Sequence, residues 1–245
     1  MSEQRPRLSV IVPAYAEAGR IGATVAALRE ALQPVAADGG LELIVVDDGS
    51  PDATAEEAAQ AGADEVISLP GNRGKGAAVR TGMLAARGRM AAFTDADLAY
   101  SPDQLLTVLA RVEEGWDVVV GSRRHVDTTT LVRARRVREV AGRVFSVATS
   151  WLVLGQERDT QCGLKAFSAE AAQRIFSRSQ LDSFAFDVEI FLLARRWGLK
   201  LTEVPVSVEN FDASTVHLSS DAWRMVTDLW RVHRWARSGY YDTDR

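Results

Sequence analysis

The sequence predicts an α/β fold, built on a mostly parallel sheet with helices on both faces, and three observations support this prediction. Short apolar runs rich in β-branched residues alternate with longer segments that have helical periodicity. Glycine or polar residues follow these runs, as is typical of buried parallel strands. The chain has 245 residues, 47% of them hydrophobic and 25% charged, without a linker or internal repeat, so we expect a single domain.

The first half of the chain is predicted to contribute five strands and the helices that connect them. Residues 8–13 form the first predicted strand, which ends at a proline, and a helix with one apolar face follows at 21–32. The other predicted strands are 43–46, 65–69, 90–93 and 118–120, and the other helices start after Pro51, run from Gly76 towards Arg87 and cover 102–113. In such a sheet, ligands bind beyond the carboxyl ends of the strands.

The second half of the chain has a different character. Residues 131–155 combine arginines with an apolar, aromatic tail, and residues 159–167 are predicted to be a loop that returns to the core. Helices are predicted at 169–176, 187–197 and 220–237, with a strand at 202–208. The last helix has arginines on one side and a predicted apolar stripe on the other, formed by Trp223, Val226, Trp230 and Trp235.

Composition disfavours several classes of function. The net charge of −4 does not favour general nucleic-acid binding. Cys162 is the only cysteine, so an internal disulfide is excluded, and we expect this side chain to be buried. The first residues lack the apolar core of a signal peptide, and no stretch reaches the ~18–20 apolar residues of a membrane-spanning helix.

Asp95 and Asp97 follow the predicted strand at 90–93 and are the first candidates for chemistry. Two carboxylates at a strand end offer the oxygen ligands that Mg2+ prefers, and such an ion often shares its coordination with substrate phosphates. The alternative is a solvated turn, because aspartate is common in turns. Polar residues at the other strand ends favour one shared nucleotide-like site, and these residues are Tyr15, Glu17, Asp47, Asp48, Asn72, Lys75 and Arg123.

A glycine-rich segment, Gly71-x-x-Gly74-Lys75-Gly76, opens one of the predicted helices. It matches neither G-x-G-x-x-G nor the GK[ST] ending of a P-loop. Glycines nevertheless allow close backbone approach, a helix N-terminus attracts phosphate, and Lys75 adds a positive charge. The segment is therefore expected either to bind a phosphate or to be an ordinary strand-to-helix turn.

Several other charged residues have two open interpretations. Asp47 and Asp48 are expected either to accept hydrogen bonds from a base or ribose, or to cap the helix that follows. Asp187 and Glu189 are two positions apart and would not share a helix face, so one is expected to line the site and the other to cap the helix. Lys165 is expected either to meet a phosphate or to pair with a neighbouring carboxylate.

Together these segments resemble the family 2 glycosyltransferases of the GT-A fold. Four motifs lie in order at predicted strand ends: Val-Pro-Ala-Tyr-Ala-Glu at 12–17, Val-Asp-Asp-Gly-Ser at 46–50, Gly-Asn-Arg-Gly-Lys-Gly at 71–76 and Asp-Ala-Asp at 95–97. Later segments, at 121–123, 159–167 and 186–189, are similar to the polyprenyl-phosphate sugar synthases, and most similar to their dolichyl-phosphate β-glucosyltransferase branch. The resemblance covers nearly the whole chain.

The resemblance implies a role for each matched residue. The residues implied to bind the donor nucleotide are Pro13, Tyr15, Glu17, Asp47, Asp48, Gly74 and Lys75. Asp95 and Asp97 would act in catalysis and serve the sugar nucleotide and a Mg2+ or Mn2+ ion, with Asp97 as the more direct metal ligand. The residues implied to receive the acceptor phosphate are Arg123, which is also an implied catalytic residue, Arg135 and Arg138. Ala99 departs from the mannose synthases, which often have a metal-supporting glutamine there.

The implied activity is metal-dependent, inverting transfer of glucose from UDP-glucose to a polyprenyl (dolichyl) phosphate, which gives a β-linked lipid phosphosugar. Residues 1–123 would form the nucleotide-sugar half of the domain and residues 124–245 the acceptor half. Two alternatives stay open: a related transferase that uses GDP-mannose or a non-lipid acceptor, and a non-catalytic nucleotide-sugar-binding protein of the same fold. The sequence does not determine the oligomeric state.

Because a polyprenyl acceptor lies in a membrane, the resemblance also implies contact with a membrane surface. The protein would be peripheral on the cytoplasmic face of that membrane. Basic and aromatic residues at 131–155 are expected to make the contact, whereas the helix at 220–237 is expected to pack on the core. His217 lies in a polar loop, 210–219, which is expected either to close over the donor or simply to be exposed.

Overall fold

A seven-stranded sheet organises the protein, and the computed structural model describes residues 5–123, 125, 128–130, 161–208 and 220–242 of the chain. The strands are β1 (Leu8–Ala14), β2 (Leu41–Asp47), β3 (Glu65–Ser68), β4 (Met90–Phe93), β5 (Val118–Ser122), β6 (Thr129–Thr130), β7 (Lys165–Ser168), β8 (Leu201–Pro205) and β9 (Ser207–Val208). The helices are α1 (Ile21–Ala31), α2 (Gln33–Ala37), α3 (Thr54–Gln60), α4 (Lys75–Ala85), α5 (Gln104–Glu113), α6 (Ala169–Phe176), α7 (Phe186–Arg196) and α8 (Ser220–Arg237).

The order of the strands confirms the predicted fold class. The sheet runs β3-β2-β1-β4-β7-β5-β8, and a separate parallel pair joins β6 to β9. Within the large sheet, β1, β2, β3 and β4 pair in parallel, as do β5 and β8, and only β7 runs antiparallel to its neighbours. The predicted bounds of the strands and helices in the first half agree with the observed ones to within two residues.

Burial of whole strands shows that both faces of the sheet are covered. Every residue of β1, β4 and β5 is buried, although successive side chains of a strand point to opposite faces. Helix α5 turns Leu105, Val108, Leu109 and Val112 into this core, at the three- and four-residue spacing of one helix face. The alternation of strands and helices in the sequence therefore produces a three-layer arrangement.

The prediction of a loop at 159–167 is wrong at its end, because β7 starts at Lys165. This strand lies between β4 and β5, with Ala166 opposite both Ala92 and Val119. The strand is short, and its first residue is a lysine that is fully buried. A four-residue segment that begins with a charged residue does not have the hydrophobic pattern of a buried strand. The strand is therefore recognised only by its pairing with β4 and β5.

The last helix, α8, has the predicted bounds, but the predicted apolar stripe is wrong at Trp230. Leu229 and Val232 are buried, whereas Trp230 is 59% exposed and carries the guanidinium of Arg234 over its ring at 5.0 Å. The face that packs on the protein therefore follows Leu229 and Val232, one position away from the predicted stripe. The side chains of Trp223 and Val226 lie outside the described residues. None of the described helices is long and apolar enough to cross a membrane.

The contact between α4 and the sheet gives a test of this packing. A Cβ atom on Gly82 would lie 2.5 Å from Ile11 Cγ2 and 2.9 Å from Val46 Cγ2. We expect Gly82→Ala to lower the free energy of unfolding by about 1–3 kcal/mol, because both neighbours are stiff β-branched core residues. Urea denaturation measures this change.

Gly22→Ala in α1 is the matched control. Its new Cβ would meet only Ala61 Cβ, at an ordinary distance of 3.8 Å. We expect no loss of stability, and a gain of up to about 1 kcal/mol from the lower backbone entropy of alanine in the unfolded chain. Equal effects of the two substitutions would contradict the packing described for α4.

Candidate functional site

The polar residues identified in the sequence lie where β1, β2 and β4 end. These three strands are neighbours in the sheet and run in the same direction. Ala14 and Asp47 are register partners at the ends of β1 and β2, and β4 ends two residues before Asp95. The predicted convergence is therefore confirmed for the ends of these three strands, whereas that of Arg123 stays a prediction.

Pro13 is tolerated inside a central strand because the pairing of β1 with β4 has already ended there. Ile11 is the last β1 residue with a partner in β4, and its carbonyl accepts the Thr94 N–H at 3.1 Å. Pro13 faces the same side two residues later, so its missing N–H removes no ladder bond. Tyr15, which follows β1, is 45% exposed.

An ion pair between Lys75 and Asp95 lies at the centre of the site. The Lys75 Nζ is 2.5 Å from Asp95 Oδ1, and the two side chains are 19% and 27% exposed. Burial by itself lowers the pKa of Lys75, but the attraction of Asp95, followed by that of Asp187 and Asp97, raises it above its ordinary value. Lys75 is therefore charged at neutral pH.

Negative charge exceeds positive charge around this ion pair. Burial, and then repulsion by Asp95, raises the pKa of Asp97. Burial also raises the pKa of Glu17, against the attraction of Arg20, with further contributions from Asp97 and Asp95. Since the carboxylates of Glu17, Asp95 and Asp97 influence one another in this way, the site favours an additional cation.

The site fits a divalent cation that is held jointly with a substrate. Among the residues that the structure describes, no group of three or more His, Cys, Asp or Glu side chains is arranged as a complete metal site. Asp97 uses Oδ1 to accept the Ala99 N–H at 3.1 Å and keeps lone pairs for a further ligand. A cation such as Mg2+, which often takes one or two protein carboxylates and completes its shell with phosphates and water, suits Asp97 and Asp95.

Asp47 and Asp48 bind loops rather than the helix after Pro51, so the capping interpretation is wrong for both. The Asp47 carboxylate accepts the N–H and the hydroxyl of Ser50. The Asp48 carboxylate accepts the Arg73 N–H at 2.9 Å and the Gly74 N–H at 2.7 Å. Asp48 therefore fixes the glycine-rich segment to the end of β2.

Several amides at the N-terminus of α4 are already bonded within the protein. The carbonyl of Asp182 accepts the Gly76 N–H at 2.9 Å and the Ala77 N–H at 3.4 Å. Together with the amides of Arg73 and Gly74 that Asp48 binds, these bonds occupy four of the amides around Lys75. The phosphate interpretation of this segment stays a prediction, and the charged side chain of Lys75 is its main candidate for contact with a ligand.

Asp182 is a site residue that the sequence did not indicate. Its carboxylate contacts Arg80 Nη2 at 2.5 Å and Arg73 Nη2 at 3.1 Å. A Cβ on Gly74, where φ is +111°, would lie 2.5 Å from the Asp182 carbonyl oxygen. The glycines thus signalled a close approach of backbone, but their spacing could not say which distant segment approaches.

Gly163 was also missed as a site residue, and it packs directly on the acidic pair. A Cβ at this position would collide with the Asp95 carboxylate.

Two non-glycine residues near the site, Ala16 and Leu98, have positive φ angles of 55° and 47°. Leu98 directly follows Asp97, so the turn after the acidic pair is strained, as is common at functional sites.

A layer of buried charges supports the site from beneath. Lys165 Nζ donates to Asp187 Oδ1 and to the Cys162 carbonyl, both at 2.7 Å, which confirms the pairing interpretation of Lys165. Glu189 accepts the Gln180 and Leu181 N–H groups at 2.9 Å and the Tyr241 hydroxyl at 2.6 Å. The expectation that one of Asp187 and Glu189 caps α7 is wrong, since α7 has no side-chain cap. Cys162 is buried, as predicted.

The residues expected to receive an acceptor are only partly visible. Arg123 follows directly after β5 and is half-buried. Arg135 and Arg138, the segment 131–155 and the loop 210–219 with His217 lie outside the described residues, so their roles stay predictions.

Comparisons with known proteins agree with this geometry. A model of the glycosyl transferase family 2 matches residues 9–184. The chain is 35% identical to a dolichyl-phosphate beta-glucosyltransferase of Drosophila melanogaster, over 94% of this chain and 74% of that protein. It is 33% identical to the Homo sapiens protein of the same name, over 85% of this chain and 69% of that protein.

A solved structure supports the same fold. Glucosyl-3-phosphoglycerate synthase from Mycobacterium tuberculosis, in complex with Mn2+, UDP and glucosyl-3-phosphoglycerate, superposes with a TM-score of 0.69. The alignment covers 94% of this chain and 80% of that one, at 24% sequence identity. At this identity the likeness concerns the fold alone.

Burial of Asp97, together with repulsion by Asp95, predicts a pH-dependent effect of Asp97→Asn. In the metal-free protein the folded state raises the pKa of Asp97 above its ordinary value of 3.8, so the wild type loses stability as the pH rises from that value through the raised pKa. Asparagine keeps the bond to Ala99 without the charge. We expect Asp97→Asn to be more stable than the wild type at pH 7 in EDTA, and the difference to shrink towards pH 4.

Urea denaturation at both pH values measures the effect. Glu30→Gln, at an exposed position of α1, is the control and should leave stability nearly unchanged at either pH. A wild-type protein that is more stable than Asp97→Asn at pH 7 would contradict the unfavourable burial and repulsion described for the Asp97 carboxylate.

Proposed function

The chain belongs to the glycosyl transferase family 2, and from this premise we propose that it is a metal-dependent, inverting glucosyltransferase. It transfers glucose from UDP-glucose to a polyprenyl (dolichyl) phosphate. The observation that carries the proposal is the ion pair of Lys75 with Asp95 at the carboxyl ends of the strands, where Glu17 and Asp97 add further carboxylates. The identity to dolichyl-phosphate beta-glucosyltransferases supports the choice of donor and acceptor.

The donor binds across the ends of β1, β2 and β4 in this proposal. Its nucleoside is held by Pro13, Tyr15, Glu17, Asp47 and Asp48, and its diphosphate lies near Gly74 and Lys75. Asp48 keeps lone pairs on both oxygens beyond its two amide bonds, so it can fix the glycine-rich segment and still accept a hydrogen bond.

Asp97 would hold Mg2+ or Mn2+ directly, and Asp95 lies beside Asp97 in the site. When bound, the ion would supply Lewis-acid neutralisation of the charge that develops on the departing nucleoside diphosphate. Asp95 orients the ribose or the sugar, and Lys75 contributes a second positive charge on the protein side of the diphosphate. The excess of carboxylates in the site explains why a cation has to accompany an anionic donor.

The acceptor phosphate attacks the anomeric carbon without a strong general base, because it is already anionic at neutral pH. An acceptor oxygen forms the bond to the anomeric carbon while the bond from that carbon to the diphosphate oxygen breaks, and its electron pair leaves with UDP. In-line displacement inverts an α-linked donor to a β-linked product. Arg123, Arg135 and Arg138 hold the acceptor, since the planar guanidinium binds phosphate through two hydrogen bonds.

In this proposal, the two halves of the domain bind different substrates. Residues 1–123 bind the nucleotide sugar, and residues 124–245 bind the acceptor and contact the membrane. The outer face of α8 offers a suitable surface, because Trp230 is exposed beside Arg231 and Arg234. Aromatic and basic side chains together suit the headgroup region of an anionic membrane. We place the protein peripherally, on the cytoplasmic face.

A transfer assay tests the activity. Purified protein is incubated with polyprenyl phosphate, Mg2+ or Mn2+, and either UDP-glucose or GDP-mannose. We expect lipid-linked glucose from UDP-glucose only, and none after EDTA treatment. Transfer only from GDP-mannose would replace the proposed donor. Binding of UDP-glucose without transfer would favour a non-catalytic protein.

Asp97→Ala tests the metal assignment within that assay. We expect turnover to fall by roughly 1,000-fold or more, because an electrostatic contact to the developing charge is lost. Metal-dependent binding of the donor should be lost as well, while circular dichroism and the denaturation midpoint show a folded protein. Glu30→Gln is the control and should retain activity. Near-normal turnover of Asp97→Ala would overturn the assignment.

Sedimentation with lipid vesicles tests the membrane surface. We expect binding to vesicles that contain anionic lipid, and about tenfold weaker binding for Trp230→Ala/Arg234→Ala, because an interfacial aromatic ring and a charge are removed. Leu84→Ala/Arg111→Ala removes an exposed apolar residue and an exposed arginine elsewhere and is the matched control. Equal binding of both double variants would exclude this face of α8.

A further inference from the structure

Lys75 forms an ion pair with Asp95, one of the two carboxylates that the proposed metal ion would approach. Its Nζ lies 2.5 Å from Asp95 Oδ1, and Asp97, the proposed direct metal ligand, is close enough to attract the same ammonium. A lysine and a divalent cation repel each other at such range. The metal-free protein therefore already contains a positive charge that neutralises part of the acidic pair.

The backbone under Lys75 is held in place, so only its side chain can yield to an incoming ion. Lys75 is the first residue of α4. On one side, Asp48 binds the amides of Arg73 and Gly74, and on the other, Asp182 binds the amide of Gly76. The four-carbon side chain of lysine is flexible and its ammonium rotates freely, so the charge can move while the loop stays fixed.

Asp187 offers the ammonium a second source of negative charge. This carboxylate is buried and already bonded to Lys165 at 2.7 Å, yet its attraction for Lys75 is second only to that of Asp95 among the charges that hold the ammonium. A movement of the ammonium away from Asp95 therefore does not leave it without a counter-charge. The donor diphosphate would supply further negative charge on the open side.

We propose that Lys75 is a resident counter-ion of Asp95, which competes with the divalent cation until a nucleoside diphosphate draws its ammonium away. The inference rests on the proposed function, since it takes the diphosphate and the metal as ligands of this site. Beyond that function, it assigns to Lys75 the coupling between the two ligands. The metal alone binds weakly, and the metal and the nucleotide bind together.

Linkage gives the inference a definite signature. If UDP raises the affinity for the metal, the metal raises the affinity for UDP by the same factor. Removing the Lys75 charge should change the affinity for Mn2+ in opposite directions without UDP and with UDP. Without nucleotide, Mn2+ loses a competitor and binds more tightly, whereas with UDP the complex loses a favourable contact to the diphosphate.

The test measures Mn2+ binding to the wild type and to Lys75→Met, without and with saturating UDP, by the electron paramagnetic resonance signal of free Mn2+. We expect Lys75→Met to bind Mn2+ alone about tenfold more tightly than the wild type, and the enhancement by UDP to fall by at least the same factor. Lys75→Gln should behave like Lys75→Met and serves if the latter does not fold. Lys200→Met, at an exposed lysine away from the acidic pair, is the control and should match the wild type.

The outcomes separate this inference from the proposed function. Wild-type protein that binds Mn2+ and UDP cooperatively, with Lys75→Met and Lys75→Gln no tighter for Mn2+ alone, overturns the inference and leaves the proposed function standing. Weaker Mn2+ binding in both conditions also overturns it, because a merely structural role would have that effect. Wild-type protein that binds neither ligand contradicts both.

Discussion

The hydrogen bonds at the start of α4 are the constraint on which the rest of the site depends. Asp48, at the end of β2, and the Asp182 carbonyl, from the turn before α7, bind successive amides on either side of Lys75. Gly74 and Gly76 are needed because the backbone at Leu181 and Asp182 comes closer than a side chain would permit. The position of the Lys75 backbone, and with it the contact of the ammonium with Asp95, follows from these hydrogen bonds.

A second layer of buried charge holds the Asp182 turn. Glu189 accepts both amides just before Asp182 and the hydroxyl of Tyr241, so the end of the chain is linked to the glycine-rich segment through one carboxylate. Such a buried carboxylate is costly unless every lone pair is used, and here three donors serve it. Lys165 and Asp187 satisfy each other in the same way beside the acidic pair.

The outer part of the site keeps its charges unbalanced. Glu17, Asp95 and Asp97 repel one another, and the turn after Asp97 places Leu98 in a left-handed conformation. Both features cost stability in the absence of ligands, and both are concentrated where the strands end. A site that binds a cation together with an anion requires this arrangement, because a site whose charges were already fully neutralised would attract neither ion.

The sequence by itself determined the fold class and the order of strands and helices along the chain. It also determined that Asp48, Lys75 and Asp95 meet at the carboxyl ends of the strands. Strand-helix alternation and strand-end motifs are local signals, so both could be recognised without the structure. The sequence could not identify β7, whose buried Lys165 is explained only by Asp187, nor the exposed side of α8. Only the tertiary structure decided that Asp182 and Gly163 belong to the site. Asp182 contacts Arg73 and Arg80, and Gly163 contacts Asp95, which lie far away along the chain. Contacts between such distant segments leave no periodic trace in a sequence.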